Sequence, residues 1–162
     1  MAETLNVSDM ISPKFEPKKQ FRWIMMIEGI DAYILKKAAR PKISTEEQTL
    51  HWINTTRYVG GKTTFGEMQI SLHDPLAPSG AQQVMEWIRL HYESVSGRSG
   101  YVDFYKRDID LKLLDPVGTC IELWNITGAW IKDADFGGLD YSSSELSEIN
   151  LTLRYDNAIL QF

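Results

Sequence analysis

Alternating apolar and polar residues predict two strands of this chain clearly. Residues 63–73 and residues 145–156 each contain a run with apolar side chains at every second position, which is the period of an extended strand. These apolar positions are Met68, Ile70 and Leu72 in the first segment and Ile149, Leu151, Leu153 and Tyr155 in the second. Most positions between them are polar. Each strand is therefore expected to turn one face to a core and the other to water.

Two further strands are predicted near the start of the chain. Residues 21–29 are apolar on both faces, which is typical of a strand that is covered twice or that packs against another subunit. Residues 32–40 end before Pro41, which cannot donate a hydrogen bond to a sheet. The short segment Gly29-Ile30-Asp31 lies between the two runs and is a plausible turn. We therefore expect the two runs to form a hairpin.

The rest of the chain adds more strand candidates. Residues 48–53 and 56–59 predict two strands around a short turn, and Gly60-Gly61 interrupts the second. Residues 101–114 and 119–130 predict two more, the latter bent near Gly128. Residues 136–144 predict a loop.

One helix is predicted over residues 80–96. Ser79 is a suitable N-cap, Gln82 completes a capping box, and Gly97 is suited to end the helix. Apolar residues at helical spacing form one stripe, at Val84, Trp87, Ile88, Tyr92 and Val95. With seven to nine strands and one packed helix, the predicted class is mainly β, an antiparallel barrel or sandwich. We expect an extended N-terminal arm over residues 1–20 and a single domain over residues 21–162.

The composition agrees with one globular domain and argues against several functions. The chain has 162 residues, of which 43% are hydrophobic and 24% charged, and a formal net charge of −5. An acidic chain argues against a basic surface wrapped on nucleic-acid phosphates. The single cysteine, Cys120, suits a reducing compartment. The N-terminal residues lack an apolar secretory signal, and no apolar run is long enough to cross a membrane, so we expect no membrane partner.

Clusters that would support catalysis or metal binding are scarce. The three histidines are scattered, and none forms a short-spaced zinc pair. His73-Asp74 is a weak acid–base pair, and Cys120 within a strand is better explained as a small buried hydrophobic residue. The stretch YVGGKTT lacks the first glycine of a phosphate loop, and the acidic segment 132–140 lacks the closing glutamate of a calcium loop. We therefore expect no catalytic residue, no metal and no cofactor.

Five segments, taken in order, resemble the tail tube proteins of contractile-tailed bacteriophages. They are FRWIMMIEGI from Phe21, KKAARPKIS from Lys36, INTTRYVGGKTTFGEMQISLHD from Ile53, VMEWIRLHYESVSG from Val84 and LWNITGAWIKDADFGGLDYSSSELSEINLTLRYDNA from Leu123. The resemblance covers about residues 20–160. Where many relatives have Trp-Pro after a glycine, this chain has Trp130-Ile131.

The resemblance implies a structural subunit that has no active site. Such subunits form hexameric rings that stack into a tube inside a contractile sheath, and DNA passes through the lumen during ejection. The implied partners are further copies of the chain, the tail sheath protein, baseplate and tail terminator proteins, and passing DNA that is not bound sequence-specifically. The implied location is the virion tail, assembled in the host cytoplasm. The same fold serves type VI secretion tube proteins and baseplate tube initiators.

The resemblance also suggests roles for individual residues. The polar faces of the two clearest strands are lumen candidates: Glu67, Gln69, Ser71, His73, Glu148, Asn150, Thr152 and Arg154. The apolar strand over residues 21–29 and the strand pair over residues 48–59 supply the subunit-interface candidates. These are Trp23, Met25, Ile27, His51, Trp52, Arg57 and Tyr58. Because each copy is acidic, the lumen is expected to be net negative and to let DNA slide past.

Other functional classes stay open at this point. A tube initiator or a secretion-system tube protein would share the same pattern. A small-ligand-binding β-barrel is a different class, and it would need a cavity lined by apolar residues and a few polar groups. An enzyme that uses His73-Asp74 or Cys120 is the least favoured interpretation.

Overall fold

The computed structural model describes residues 6–162, without the side chains of Val7 and Asp9. Its strands are β1 (Trp23–Ile27), β2 (Leu35–Ala38), β3 (Ile43–His51), β4 (Thr56–Phe65), β5 (Met68–His73), β6 (Arg107–Leu114), β7 (Cys120–Asp135), β8 (Glu148–Arg154) and β9 (Asn157–Leu160). Its helices are α1 (Val7–Met10), α2 (Gly80–His91) and α3 (Val102–Tyr105), and a 3₁₀ turn covers Ala32–Ile34. The mainly β class with one packed helix is confirmed.

Six strands of one antiparallel sheet lie in the order β1–β6–β7–β8–β5–β2, and β9 is the seventh strand of that sheet. β7 has 16 residues, and it pairs with β6 along its first part and with β8 along its last part. β9 continues the line of β8 and pairs with the middle of β7. β7 therefore belongs to both halves of the sheet, and the two halves enclose a common core.

The alternating strands supply a large part of this core, as the sequence predicts. Met68 pairs with Leu153, Ile70 with Leu151 and Leu72 with Ile149, and all six side chains are buried. Ile109 and Leu111 of β6 are buried in the same cluster. Because paired residues of adjacent strands point to one side of a sheet, the remaining side chains of β5 and β8 must point away from the core.

β7 bends at Gly128, which has a φ of +68°. An added Cβ there would lie 2.2 Å from Oδ2 of Asp156, so the position requires glycine for both its backbone angle and its neighbour. The pairing with β6 is irregular between Arg107 and Ile109, beside this bend. The predicted bend of the long strand is confirmed.

Helix α2 packs the first three residues of its predicted stripe, Val84, Trp87 and Ile88, against the sheet, whereas Tyr92 and Val95 lie beyond the helix and are exposed. Ser79 accepts a hydrogen bond from the backbone N–H of Gln82, so the predicted N-cap is confirmed. Val84 and Trp87 are fully buried, and the Trp87 indole N–H donates to the carbonyl oxygen of Tyr105 at 2.7 Å. The helix therefore covers the core and also fixes the short helix α3.

Strands β3 and β4 form a separate two-stranded hairpin. Every residue of β3 is exposed, and β4 is exposed at all positions except Gly61 and Phe65. The predicted pair of strands around Asn54 and Thr55 is confirmed, but Gly60-Gly61 does not interrupt β4. The chain passes through both glycines opposite an irregularity between Thr45 and Glu47 of β3. The break comes instead at Gly66, whose N–H donates to the carbonyl of Lys42. The single strand predicted over residues 63–73 is therefore wrong, because its first part belongs to β4 and its last part is β5.

Three other predictions about the elements were wrong. β1 and β2 do not form a hairpin, because β1 pairs with β6 and β2 pairs with β5. Helix α2 ends at His91, several residues before Gly97, and Val95 is 96% exposed. The expected strand over residues 101–114 begins only at Arg107, because α3 occupies its first part. The short strand β9 was not predicted.

Candidate functional site

The structure brings together all eight residues that the sequence suggested as lumen candidates. Gln69, Ser71 and His73 of β5 pair with Thr152, Asn150 and Glu148 of β8. Glu67 directly precedes β5, and Arg154 ends β8 beside it. These side chains share the side of the sheet that faces away from the core. We call this surface the polar face.

Side chains on the polar face bond to one another across the strands. The Ser71 hydroxyl donates to Oδ1 of Asn150 at 2.7 Å. Lys36 of β2 forms an ion pair with Glu148, and Lys132 of β7 forms one with Glu67. The hydrogen bonds from these lysines lower the pKa of Glu148 and of Glu67. Both carboxylates are therefore charged at neutral pH and are matched by a neighbouring cation.

The polar face extends onto the flanking strands and is balanced in charge. Asp133 and Asp135 of β7 pair with Thr152 and Asn150, and Lys37 of β2 pairs with Ser71. Its basic residues are Lys36, Lys37, Lys132 and Arg154, and its acidic residues are Glu67, Asp133, Asp135 and Glu148. Their formal charges cancel. The polar face is therefore formally neutral, and the negative charge of the chain lies mainly elsewhere. The expectation of a net negative lumen stays a prediction.

The members of the polar face that lie on β2 and β7 were not predicted from the sequence. The Lys36-Lys37 pair was assigned to a strand, but without a partner strand its orientation was undefined. Asp133 and Asp135 alternate with Ala134, which is the pattern of a strand. Their acidic composition suggested a loop instead, but β7 continues to Asp135.

Two edges of the four-stranded part β2–β5–β8–β7 have no partner strand among residues 6–162. β2 pairs only with β5. The last part of β7, residues 131–135, pairs only with β8, because β6 leaves β7 near Ala129. Such edges present free backbone N–H and C=O groups that can pair with another chain.

The subunit-interface candidates of β1 need correction. Met25 and Ile27 are buried in the subunit's own core, so they cannot face a neighbouring subunit. The outward residues of this strand are Ile24 and Met26, each 43% exposed, because alternation places them on the opposite face. Trp23 is partly buried and packs against the edge of the core.

The hairpin candidates lie at the exposed end of β3 and β4. His51 pairs with Thr56, and Trp52 closes the turn through a hydrogen bond from its N–H to the carbonyl of Thr55 at 2.9 Å. Tyr58 is 63% exposed, and Ile53 at the turn is 99% exposed. Arg57 lies beside Tyr58 on the same exposed strand. Their role in assembly stays a prediction.

An ion pair links the described part of the predicted arm to the body. Lys18 forms an ion pair with Glu122 of β7, a carboxylate that is buried. Residues 11–22 otherwise contain turns and little regular structure, and they are largely exposed. Residues 1–5 of the predicted arm lie outside the described residues.

The weak catalytic candidates have other roles in the fold. Asp74 accepts a hydrogen bond from the backbone N–H of Ala81, which helps to hold the start of α2. His73 lies on the polar face, and Cys120 is partly buried at the start of β7. Within residues 6–162 no cluster of three or more acidic, histidine or cysteine side chains is arranged to hold a metal ion. No helix in the same range has the length and apolar character needed to cross a membrane.

Comparison with known proteins identifies the fold. No protein-family model and no curated protein sequence matches this chain. A chain in the cryo-EM structure of the anti-feeding prophage tube-terminating cap is similar, with a TM-score of 0.74 and 20% identity over 99% of both chains. A chain of the PVC sheath–tube complex, from an extracellular contractile injection system, has a TM-score of 0.67 and 17% identity, covering 98% of this chain and 99% of that one. Hcp1 from Flavobacterium johnsoniae is more distant, with a TM-score of 0.52 and 13% identity over 87% and 95%. The chain has the tail tube fold, as the sequence resemblance suggested.

Proposed function

We propose that the protein is a non-enzymatic structural subunit of a tail tube that assembles as stacked hexameric rings. The observation that carries the proposal is the four-stranded part of the sheet, which has a polar face on one side and an open edge at each end. A sheet of this kind can close into a barrel by repeating around a ring, and closure removes its exposed edges.

The strand directions support closure between β2 of one copy and β7 of the next. Neighbouring strands are antiparallel throughout β2–β5–β8–β7. With four strands in strict alternation, β2 of a second copy laid beside residues 131–135 is again antiparallel. The ring would then be lined by one continuous antiparallel barrel, whose inner surface is the polar face of every copy.

The charges of the two edges are complementary. β2 carries Lys36 and Lys37, and the open part of β7 carries Asp133 and Asp135. Lys37 and Asp133 form no ion pair with any described residue of the same chain, so both are free to pair across the contact. Opposite charges on facing strands stabilise the pairing of β2 with β7. Like charges disfavour the pairing of two β2 edges or of two β7 edges.

The exposed hairpin β3–β4 is proposed to reach the ring above or below. It projects away from the sheet, and its end carries Trp52, Ile53 and Tyr58 in exposed positions. Aromatic residues are enriched in protein interfaces. Its partner in this proposal is a second ring of the same chain.

The proposed cargo and partners follow from the tube. DNA would pass through a lumen whose formal charges balance and in which Lys36 and Lys132 are held by Glu148 and Glu67, so that phosphates meet no excess of cations. The similar chains come from a baseplate, a tube-terminating cap and a sheath–tube complex, which supports baseplate, terminator and sheath proteins as partners. A tube initiator or a secretion-system tube protein is the alternative within the same fold.

Rings in negative-stain micrographs of the purified protein, together with multi-angle light scattering, test the proposal. The wild-type chain is expected to form rings of six copies and stacks of them at high concentration. A strictly monomeric protein over the whole soluble range would contradict it and would favour a small-ligand-binding barrel.

A charge exchange at the edges sharpens the test. Lys37→Glu alone should abolish rings, because it places three carboxylates at the contact. Adding Asp133→Lys should restore them by reversing the pair. Arg98→Glu, which makes the same charge change at an exposed loop residue, is the control and should leave assembly intact.

A further inference from the structure

The chain has a groove of about 980 Å³ between β1 and β2, the two edge strands of its sheet. β1 and β2 flank the groove, and β6 contributes Leu111 and Leu113 to its lining. Two aromatic side chains in the lining are mostly exposed, Phe21 at 75% and Tyr33 at 67%. The basic residues of the lining are Lys18, Lys19, Lys36, Lys37 and Arg40. The groove is therefore apolar, aromatic and positively charged.

The loop between β7 and β8, residues 136–147, has the opposite charge and an equally exposed apolar surface. Leu139 is 94% exposed, Leu146 is 80% exposed, and Tyr141 is completely exposed. Asp140 and Glu145 are interspersed with them. Large apolar side chains that no residue of their own chain covers mark a contact surface. Groove and loop are thus complementary in both apolar character and charge.

The loop lies level with the start of β2, beside the groove, but at the opposite edge of the four-stranded part β2–β5–β8–β7. β8 begins at Glu148, which pairs with His73, and Leu72 next to His73 pairs with Leu35 at the start of β2. The loop that leads into β8 therefore emerges level with the start of β2. Within one chain, β8 and β5 separate β7 from β2 by three strand spacings, about 14 Å. A second copy can bring the two surfaces together without crossing the sheet.

The proposed contact between β7 of one copy and β2 of the next places residues 136–147 beside the groove. When β7 of a neighbour lies antiparallel to β2, its last residues lie beside the start of β2, near Leu35. The chain then continues past Leu35 toward Tyr33, in the 3₁₀ turn that lines the groove. We infer that residues 136–147 of one copy dock in the β1–β2 groove of the neighbouring copy in the ring. This inference rests on the proposed ring.

Variants of the loop test the docking without disturbing the fold. Leu139→Ser combined with Tyr141→Ser should leave the unfolding transition unchanged, because both side chains are exposed. It should raise the concentration needed for half-maximal ring formation at least about tenfold, as expected when two apolar anchors are lost. Leu76→Ser combined with Val117→Ser is the matched control, since both residues are equally exposed elsewhere, and it should assemble normally.

Cross-linking tests the same contact directly in a Cys120→Ser background. Copies carrying Tyr33→Cys are mixed with copies carrying Leu139→Cys and treated with a short bifunctional maleimide, and covalent dimers are expected. Copies carrying Val117→Cys in place of Leu139→Cys should give none. A second mixture, of Lys37→Cys with Asp133→Cys copies, tests the proposed edge pairing independently.

The outcomes separate the docking from the ring. Rings together with the edge cross-link, but with no cross-link from the loop and normal assembly of the loop variant, would overturn the docking and leave the ring intact. Absence of rings and of both cross-links would overturn both. Dimers from both mixtures, and impaired assembly of the loop variant alone, are the results that we expect.

Discussion

Lys18 of the N-terminal arm forms an ion pair with Glu122, a buried carboxylate of β7. The indole N–H of Trp124 donates to the other oxygen of Glu122 at 2.5 Å, and Arg40 lies 3.6 Å from that same oxygen. The segment after β2 and the N-terminal arm therefore meet at one acidic group. A buried charge of this kind is stable only while its partners remain.

Lys18→Ala is expected to lower the free energy of unfolding by about 1–2 kcal/mol, because the buried carboxylate loses its nearest cation while Arg40 and Trp124 remain. Urea denaturation at pH 7 measures the change, and limited proteolysis should show faster cleavage within residues 11–22. Lys19→Ala is the control, since Lys19 forms no ion pair with any described residue. Equal effects of the two substitutions would contradict the role of the Lys18–Glu122 pair.

The same pair predicts a pH dependence of stability. Burial raises the pKa of Glu122, but the hydrogen bonds from Lys18 and Trp124 outweigh it and hold the pKa below its ordinary value. A carboxylate whose pKa is lower in the folded state stabilises the fold above its unfolded pKa of about 4.3. That contribution is lost as the pH falls through the folded pKa.

Wild-type protein is therefore expected to exceed Glu122→Gln in unfolding free energy near pH 7, and the difference should shrink below about pH 4. Comparing the two proteins removes the contribution of other acidic groups with lowered pKa, such as Asp115 and Asp140. Urea denaturation at several pH values between 7 and 3 measures the difference. A constant difference over this range would show that Glu122 does not titrate differently in the folded and unfolded states.

Gly128→Ala is expected to destabilise the fold by about 2–4 kcal/mol, because it combines a left-handed backbone angle with a clash against Asp156. Gly118 has a φ of +94° and open space around it, so Gly118→Ala measures the backbone cost alone and should be milder. Asp156→Ala also removes the ion pair between Asp156 and Lys106, so the cost of Gly128→Ala is measured again in an Asp156→Ala background, where it should be smaller by the part that is due to the clash. Thermal or urea denaturation of these variants measures the loss of unfolding free energy. Equal losses for Gly128→Ala and Gly118→Ala would exclude a contribution from the clash.

The sequence predicts best those elements whose pattern is local. In β5 and β8 the alternation identifies both the buried residues and the eight side chains of the polar face, because strand period alone decides them. In β1 the same period leaves two apolar faces, and only the pairing of Met25 with Leu111 shows which face is the core. The assignment of Met25 and Ile27 to an interface failed for this reason.

Long-range pairing is what the sequence leaves open. β1 and β2 are adjacent in the chain and resemble a hairpin, but each pairs with a strand far along the sequence. The polar face is balanced in charge because Lys36 and Lys132 come from distant segments to meet Glu148 and Glu67. Net charge describes the whole chain and carries no information about one face.

The last prediction concerns the lumen. Replacing Glu67 and Glu148 together by lysine removes two carboxylates that are paired with Lys132 and Lys36 and adds two cations. The polar face then becomes strongly basic in every copy of the proposed ring. Unpaired cations bind phosphates with a strong dependence on salt, so passing DNA should be retained and ejection should slow, most of all at low ionic strength.

Tubes of this variant should still form, because the β2 and β7 edge residues are unchanged, and micrographs verify that first. Retention of double-stranded DNA by purified tubes and the rate of DNA ejection are then measured at several salt concentrations. Glu86→Lys with Asp103→Lys makes the same charge change at exposed positions of α2 and α3, away from the polar face, and should pass DNA like the wild type. Normal ejection through tubes of the Glu67→Lys, Glu148→Lys variant would show that the polar face does not line the channel.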